Sequence, residues 1–184
     1  MQQARQKSIT LIVGGARSGK SRFAQRLAAD CERVTFLATA GPVDDEMREK
    51  IERHRKDRPP DWVTVEVPVE LDTAILENAA KSDLLLLDCL TIFVANALAT
   101  DDGDIEQVLE RVNRLCGALR TVEASVVLVS NEVGSGVVPA FASGRVFRDL
   151  LGEINQKVAM LADNVLFMVA GLPLVLKGQL GICP

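Results

Sequence analysis

Ile9-Thr-Leu-Ile-Val-Gly14-Gly-Ala-Arg-Ser-Gly-Lys-Ser21-Arg-Phe-Ala-Gln-Arg-Leu-Ala-Ala29 is the stretch whose reading decides the fold. Residues 9–13 form a short apolar, β-branched run, the pattern of a strand buried on both faces. After the loop the period changes: Phe23, Ala24, Leu27, Ala28 and Cys31 fall on one helical face. Between strand and helix, Gly14 to Ser21 fit G-x-x-x-x-G-K-[ST]. Gly14 and Gly19 let the backbone curl until successive N–H groups converge on a polyphosphate, and the dipole of the following helix adds positive potential. In such a loop Lys20 bridges the outer phosphates and the Ser21 hydroxyl ligates Mg2+. Arg17 adds a cation inside the loop. A chance glycine turn does not need strand, motif and helix in register, so the segment reads as a phosphate-binding loop.

Working outward, further short apolar runs at 34–38, 63–67, 84–87, 126–130 and 165–169 read as strands. Longer segments of helical period lie between some of them. Ile105, Val108, Leu109, Val112, Leu115, Cys116 and Leu119 form a regular stripe opened by Asp104 as N-cap. Phe147, Leu150, Leu151, Ile154, Val158 and Leu161 form another. The alternation predicts an α/β, P-loop NTPase-like three-layer domain spanning 1–184, with a mostly parallel sheet and helices on both faces. Residues 171–177 follow the sixth strand almost directly. A parallel crossover needs about a dozen residues, so this last piece is expected to be an antiparallel C-terminal strand. Residues 1–8 read as a loose start and 178–184 as a tail.

The chain has 184 residues, 48% apolar and 25% charged, which suits one globular domain. A net charge of −4, a pI near 5.1 and only 4% aromatic residues argue against a nucleic-acid binder. No apolar run approaches the length of a membrane span, and 9–13 is too short for a signal peptide core. Cysteines at 31, 89, 116 and 183 form no metal clip and no secreted scaffold. The expected compartment is the cytoplasm.

Two further features carry chemistry. Leu84-Leu-Leu-Leu-Asp88 is an apolar strand closed by a carboxylate, suited to a place near Mg2+ at a strand's C-terminal end. Ser130-Asn-Glu-Val-Gly-Ser-Gly136 falls at the end of the next strand, on the same rim. The segment 48–58 holds six cations and three acids around His54, the only histidine. Asp44, Asp45 and Glu46 suit a helix start ahead of it, and Pro59-Pro60 stops it. Neighbouring cations lower a histidine's pKa, keeping the imidazole neutral and nucleophilic, and they stabilise charge on a phosphate under attack. A solvated, salt-bridged helix face with an incidental histidine satisfies the same composition.

At these positions the chain resembles the bifunctional adenosylcobinamide kinase / adenosylcobinamide-phosphate guanylyltransferase family of cobalamin synthesis. The likeness runs from about Ile9 to Lys177. It is carried by the glycine loop, Leu37-Ala-Thr-Ala40, Asp44-Asp-Glu-Met47, and His54-Arg-Lys-Asp-Arg-Pro59 with Trp62 and Glu66. Leu87-Asp-Cys-Leu-Thr91, Asn131-Glu-Val-Gly134, Val138-Pro139, Arg145-Val-Phe-Arg-Asp149 and Asn155-Gln156 continue it. The resemblance implies phosphorylation of adenosylcobinamide by ATP or GTP, then transfer of GMP from GTP through a guanylyl-histidine to adenosylcobinamide phosphate. It places the covalent histidine on His54, with Lys20 serving phosphoryl transfer. Nucleotide contacts carry over to Gly14, Gly15, Ala16, Arg17, Ser18, Gly19, Lys20 and Ser21, to Ala38, Thr39 and Ala40, to Arg55, Lys56, Asp57 and Arg58, and to Glu66 and Asp88. Ser21 and Asp88 are the implied Mg2+ ligands. A homotrimer with sites near subunit boundaries is also implied. Arg145, Arg148 and Asn155 suit either a corrinoid pocket or packing between subunits. The rival readings are a plain P-loop small-molecule kinase with a structural His54, and a nucleotide-dependent switch.

Overall fold

The structure, a computed structural model, describes residues 7–41 and 58–179. Seven strands form one sheet: β1 (Ile9–Gly14), β2 (Val34–Ala38), β3 (Val63–Glu66), β4 (Leu84–Asp88), β5 (Ser125–Asn131), β6 (Asn164–Val169) and β7 (Leu172–Lys177). Their spatial order is β3-β2-β4-β5-β1-β6-β7, and all pairs are parallel except β6–β7. The expected strands are all present, and the antiparallel C-terminal strand is where its short connection required it. β1 and the four leucines of β4 are buried along their length, as central parallel strands must be when helices cover both faces.

Among the described residues five helices complete the layers: α1 (Lys20–Ala28), α2 (Leu71–Ala79), α3 (Leu90–Thr100), α4 (Ile105–Thr121) and α5 (Ala142–Leu161). Asp104 caps α4 as its spacing predicts: its carboxylate accepts from Glu106 N at 2.9 Å and Gln107 N at 3.3 Å. Period-two alternation divides the core. Phe23, Ala24 and Ala28 of α1 pack with Trp62 and with Ile12, Phe36, Leu86, Val127, Val129 and Met168 on one sheet face. On the other face α2 to α5 pack over Leu11, Leu37, Leu85, Leu87, Val126 and Leu128.

The ends are partly tied down. Of the expected loose start, Lys7 donates to Arg120 O at 2.9 Å and Ser8 N to Ser125 Oγ at 3.3 Å. Of the tail, Gln179 N reaches Asn164 Oδ1 at 3.0 Å. None of the helices among the described residues is long and apolar enough to cross a membrane.

One ion pair locks the corner between α3 and α4. Arg111 forks onto the buried Asp101 at 2.8 and 2.9 Å and also reaches Glu70, just ahead of α2. Its hydrogen bonds hold the Asp101 carboxyl below the usual carboxylate range, against the opposing effect of burial. Arg111→Ala leaves that carboxylate buried and unpaired, and is expected to cost about 2–3 kcal/mol at pH 7, read from the urea midpoint. A depressed folded pKa confers stability that is present above the unfolded value and lost as pH falls through the folded one. The gap between parent and variant therefore narrows on acidification below about pH 4.

Candidate active site

The glycine loop leaves β1 at the C-terminal rim of the sheet and enters α1, as the motif requires. Gly19 is the N-cap of α1, with φ 95° and no side-chain cap, so the first-turn N–H groups open toward the loop's concavity. That uncapped, left-handed start suits an incoming anion. Gly14 is needed for a different reason: a Cβ there would stand 2.6 Å from Met168 O and 2.9 Å from Ser18 Oγ. The buried Lys20 folds its ammonium onto Gly14 O at 2.9 Å and Gly15 O at 2.6 Å. Ala16 and Arg17 are exposed at the loop's crest, and Ser18 and Ser21 are half-buried.

Register places the other expected groups along the same rim. Ala38 of β2 stands opposite both Glu66 of β3 and Asp88 of β4. Alternation puts all three on the α1 face, with Phe36 and Leu86 beneath them. Thr39 is fully buried and serves as a brace. Its hydroxyl donates to Cys89 O at 2.9 Å and accepts from Cys89 N at 2.8 Å, while Asn96 Nδ2 donates to Thr39 O at 2.9 Å. Ala40 follows, half-buried. Arg58 lays its guanidinium over the Phe36 ring, 3.5 Å from the centroid, and donates to Thr64 Oγ1 at 3.4 Å. This anchors the end of the basic segment on the α1 face. His54, Arg55, Lys56 and Asp57 lie outside the described residues. Cys89, beside Asp88, is no nucleophile: burial and then the Asp88 charge push its thiol up to about 11.

The strand order adds what sequence reading left open. β5 lies between β1 and β4, so the loop's immediate neighbours are Asn131 and Met168, each opposite Gly14. Glu132 N donates to Gly14 O at 3.0 Å, tying β5 to the loop. The Glu132 carboxylate accepts from Gly134 N at 2.6 Å and Ser135 N at 3.1 Å. Burial opposes its ionisation, but these N–H groups outweigh that and hold it below the usual value. From the other side the β6–β7 turn reaches in, with Gly171 N donating to Ser18 O at 3.0 Å. Nothing in the local pattern around Gly171 signals this contact. Asn155 is engaged internally, with Ser130 Oγ and Asn131 O, and Arg145 holds Pro139 O and Ala140 O. An apolar recess of about 620 Å³ between α5 and β7, lined by Met160, Val165 and Leu176, lies at the opposite end of the strands.

Oxygen donors fit a hard cation here. Ser21 opens α1 with a hydroxyl and Asp88 closes β4 with a carboxylate, both on the α1 face. Magnesium takes such ligands sparingly and completes its shell with water and phosphate oxygens. Among the described residues no group of three or more acidic, cysteine or histidine side chains forms an all-protein cage.

Comparison with known proteins agrees with this arrangement. The profile of the family described as cobinamide kinase / cobinamide phosphate guanyltransferase matches residues 10–176. The bifunctional adenosylcobalamin biosynthesis protein CobU of Salmonella typhimurium is 42% identical over 178 residues, covering 91% of this chain and 98% of that protein. Its Escherichia coli counterpart is 40% identical over 178 residues, with the same coverage. The bifunctional adenosylcobalamin biosynthesis protein CobP of Pseudomonas aeruginosa is 43% identical over 175 residues, covering 92% of this chain and 97% of that protein. With a strand–loop–helix phosphate cradle and a match running from β1 to β7, the chain belongs to the cobinamide kinase / cobinamide phosphate guanyltransferase family.

Proposed function

We propose that this protein phosphorylates the side-chain hydroxyl of adenosylcobinamide with ATP or GTP, then moves GMP from GTP onto the new phosphate, giving adenosylcobinamide-GDP. The observation that carries the reading is the loop from Gly14 to Ser21, seated at the sheet rim with the N-terminus of α1 open behind it. In the kinase step the loop's N–H groups and Lys20 bind the β- and γ-phosphates and take up charge as the β–γ bridge breaks. Lys20 is placed for this, with its ammonium held inside the curl of the loop against Gly14 O and Gly15 O. Phosphate oxygens are stronger acceptors for an ammonium than those carbonyls are. Ser21 and Asp88 would hold Mg2+, which when bound neutralises phosphate charge. Glu66, Ala38, Thr39 and Ala40 would line the nucleotide from the β2–β3 side of the rim.

In the transferase step a neutral His54 nitrogen bonds to the α-phosphorus of GTP and pyrophosphate leaves. A phosphate oxygen of adenosylcobinamide phosphate then displaces the imidazole. Splitting one displacement into two in this way is the gain from a covalent nucleophile. Arg55, Lys56 and Arg58 would stabilise the departing pyrophosphate. Arg58 is already held by Phe36 on the α1 face, the face from which the loop's helix starts. The reading includes a homotrimer whose neighbouring subunit completes the site, and a cytoplasmic location.

Incubation with GTP labelled at the α-phosphate is expected to leave acid-labile, alkali-stable label on the protein. The label should map to the peptide containing His54 and be absent from His54→Ala, while that variant still phosphorylates adenosylcobinamide. Retained label in His54→Ala would remove His54 as the nucleophile, and no label on the parent would remove the transferase assignment. Replacing Lys20 by Met takes away one charged stabiliser of the transition state and is expected to lower kinase kcat by about 10²–10³-fold. Steady-state assays with melting curves on the same preparation check this.

A further inference from the structure

We propose that the carboxamide of Asn131 is a catalytic group of the phosphoryl transfer, donating a hydrogen bond to the γ-phosphate as it moves to the acceptor hydroxyl. This rests on the kinase reading above and adds a group to it. Asn131 ends β5, the strand between the phosphate loop of β1 and the Asp88 of β4. It pairs with Gly14, the first residue of the loop motif, while Val129 two residues earlier pairs with Asp88. Val127 and Val129 pack on α1, so alternation places the Asn131 side chain on the face where Lys20 and Ser21 begin that helix.

The backbone of this one residue is held with unusual care. Its N–H donates to Thr91 Oγ1 at 2.8 Å, and its C=O accepts from Asn155 Nδ2 at 3.0 Å. Asn155 is itself fixed by the buried Ser130, whose hydroxyl lies 2.6 Å from Asn155 Oδ1. The next N–H, of Glu132, bonds Gly14 O. Three side chains and the loop thus orient Asn131, yet among the described residues its own half-buried carboxamide has no hydrogen-bond partner. The neighbouring Glu132 cannot take the role, because its carboxylate is occupied with Gly134 and Ser135. An amide donor also suits the place better than an acid, since it meets phosphoryl oxygens without adding negative charge beside Asp88.

In the step, the acceptor hydroxyl oxygen bonds to the γ-phosphorus as the bond to the β–γ bridging oxygen breaks. The nucleoside diphosphate leaves with the electron pair, and the hydroxyl proton is released to solvent. Asn131 transfers no proton; it stabilises charge on the phosphoryl oxygens.

The test compares Asn131→Ala and the near-isosteric Asn131→Asp with the parent. Three readouts are used: ATP-dependent phosphorylation of adenosylcobinamide, slow ATP hydrolysis without corrinoid, and labelling of the protein from α-labelled GTP. Expected is a fall in kcat of about 10²-fold in both β–γ cleavage assays, with nucleotide KM within about twofold. Labelling, which breaks the α–β bridge, should stay within about threefold of the parent. If the alanine variant melts early, the aspartate variant carries the comparison. A kcat within threefold of the parent, a loss confined to KM, or an equal loss of labelling and cleavage would each overturn the assignment. A parent inactive on adenosylcobinamide but active in hydrolysis would count against the kinase reading alone, leaving the variant ratio to judge Asn131.

Discussion

The carbonyl oxygen of Gly14 accepts hydrogen bonds from two directions, Lys20 Nζ at 2.9 Å and Glu132 N at 3.0 Å. The first bond holds the charged side chain inside the curl of the loop. The second welds the loop to β5, so that the cradle and the neighbouring strand end form one piece. The two bonds differ in permanence. A triphosphate offers the ammonium charged acceptors in place of neutral carbonyls, whereas nothing in a bound nucleotide replaces the backbone bond to Glu132. The bond to Glu132 thus keeps the loop's shape whatever the lysine binds. That is the preorganisation on which electrostatic stabilisation of a transition state depends.

The curl is further confined by contacts that tolerate no side chain. Gly14 lies against Met168 O, and Gly19, at φ 95°, lies against Gly171, where an added Cβ would be 3.3 Å from that residue's Cα. β6 and the β6–β7 turn therefore act as an outer wall for the loop, with Gly171 N holding Ser18 O. This gives the antiparallel strand at the sheet edge a purpose beyond extending the sheet. It secures the turn that supports the phosphate cradle.

Much of this was legible locally. The change of period across residues 9–31, the Asp104 cap and the short connection before β7 are each encoded within a few residues of where they act. α2 and α3 were harder to read. α3 is apolar almost all round, because it is packed between the sheet and the helices α4 and α5, so it shows no stripe. α2 is short and starts at Glu70 without a side-chain cap. The insertion of β5 between β1 and β4 could not be read at all, since pairing order is set by contacts distant in sequence. The position of Asp88 at the end of a buried strand is legible from that strand alone. Asn131 was visible only as part of a glycine-rich connection, and its place opposite Gly14 exists only in the assembled sheet. His54 lies outside the described residues, so its proposed role rests on the chemistry of an imidazole among cations and on the family resemblance.

The same strand order also separates two kinds of work along the rim. On one side of β5 stand the loop, Lys20 and Ser21, the groups proposed to bind phosphate. On the other, β4, β2 and β3 carry Asp88, Ala38 and Glu66 in one rung, with Arg58 stacked on Phe36 beside it. β2 ends at Ala38, and Arg58 lies on the same face of the sheet. A triphosphate whose tail lies in the loop would direct its α-phosphate and nucleoside outward from it, and Arg58 is a cation on the β4–β2–β3 side of the rim. On the function proposed above, one bound nucleotide would have its γ-phosphorus attacked in the kinase step and its α-phosphorus in the transferase step. The two reactions would be divided by which phosphorus is attacked rather than by separate pockets.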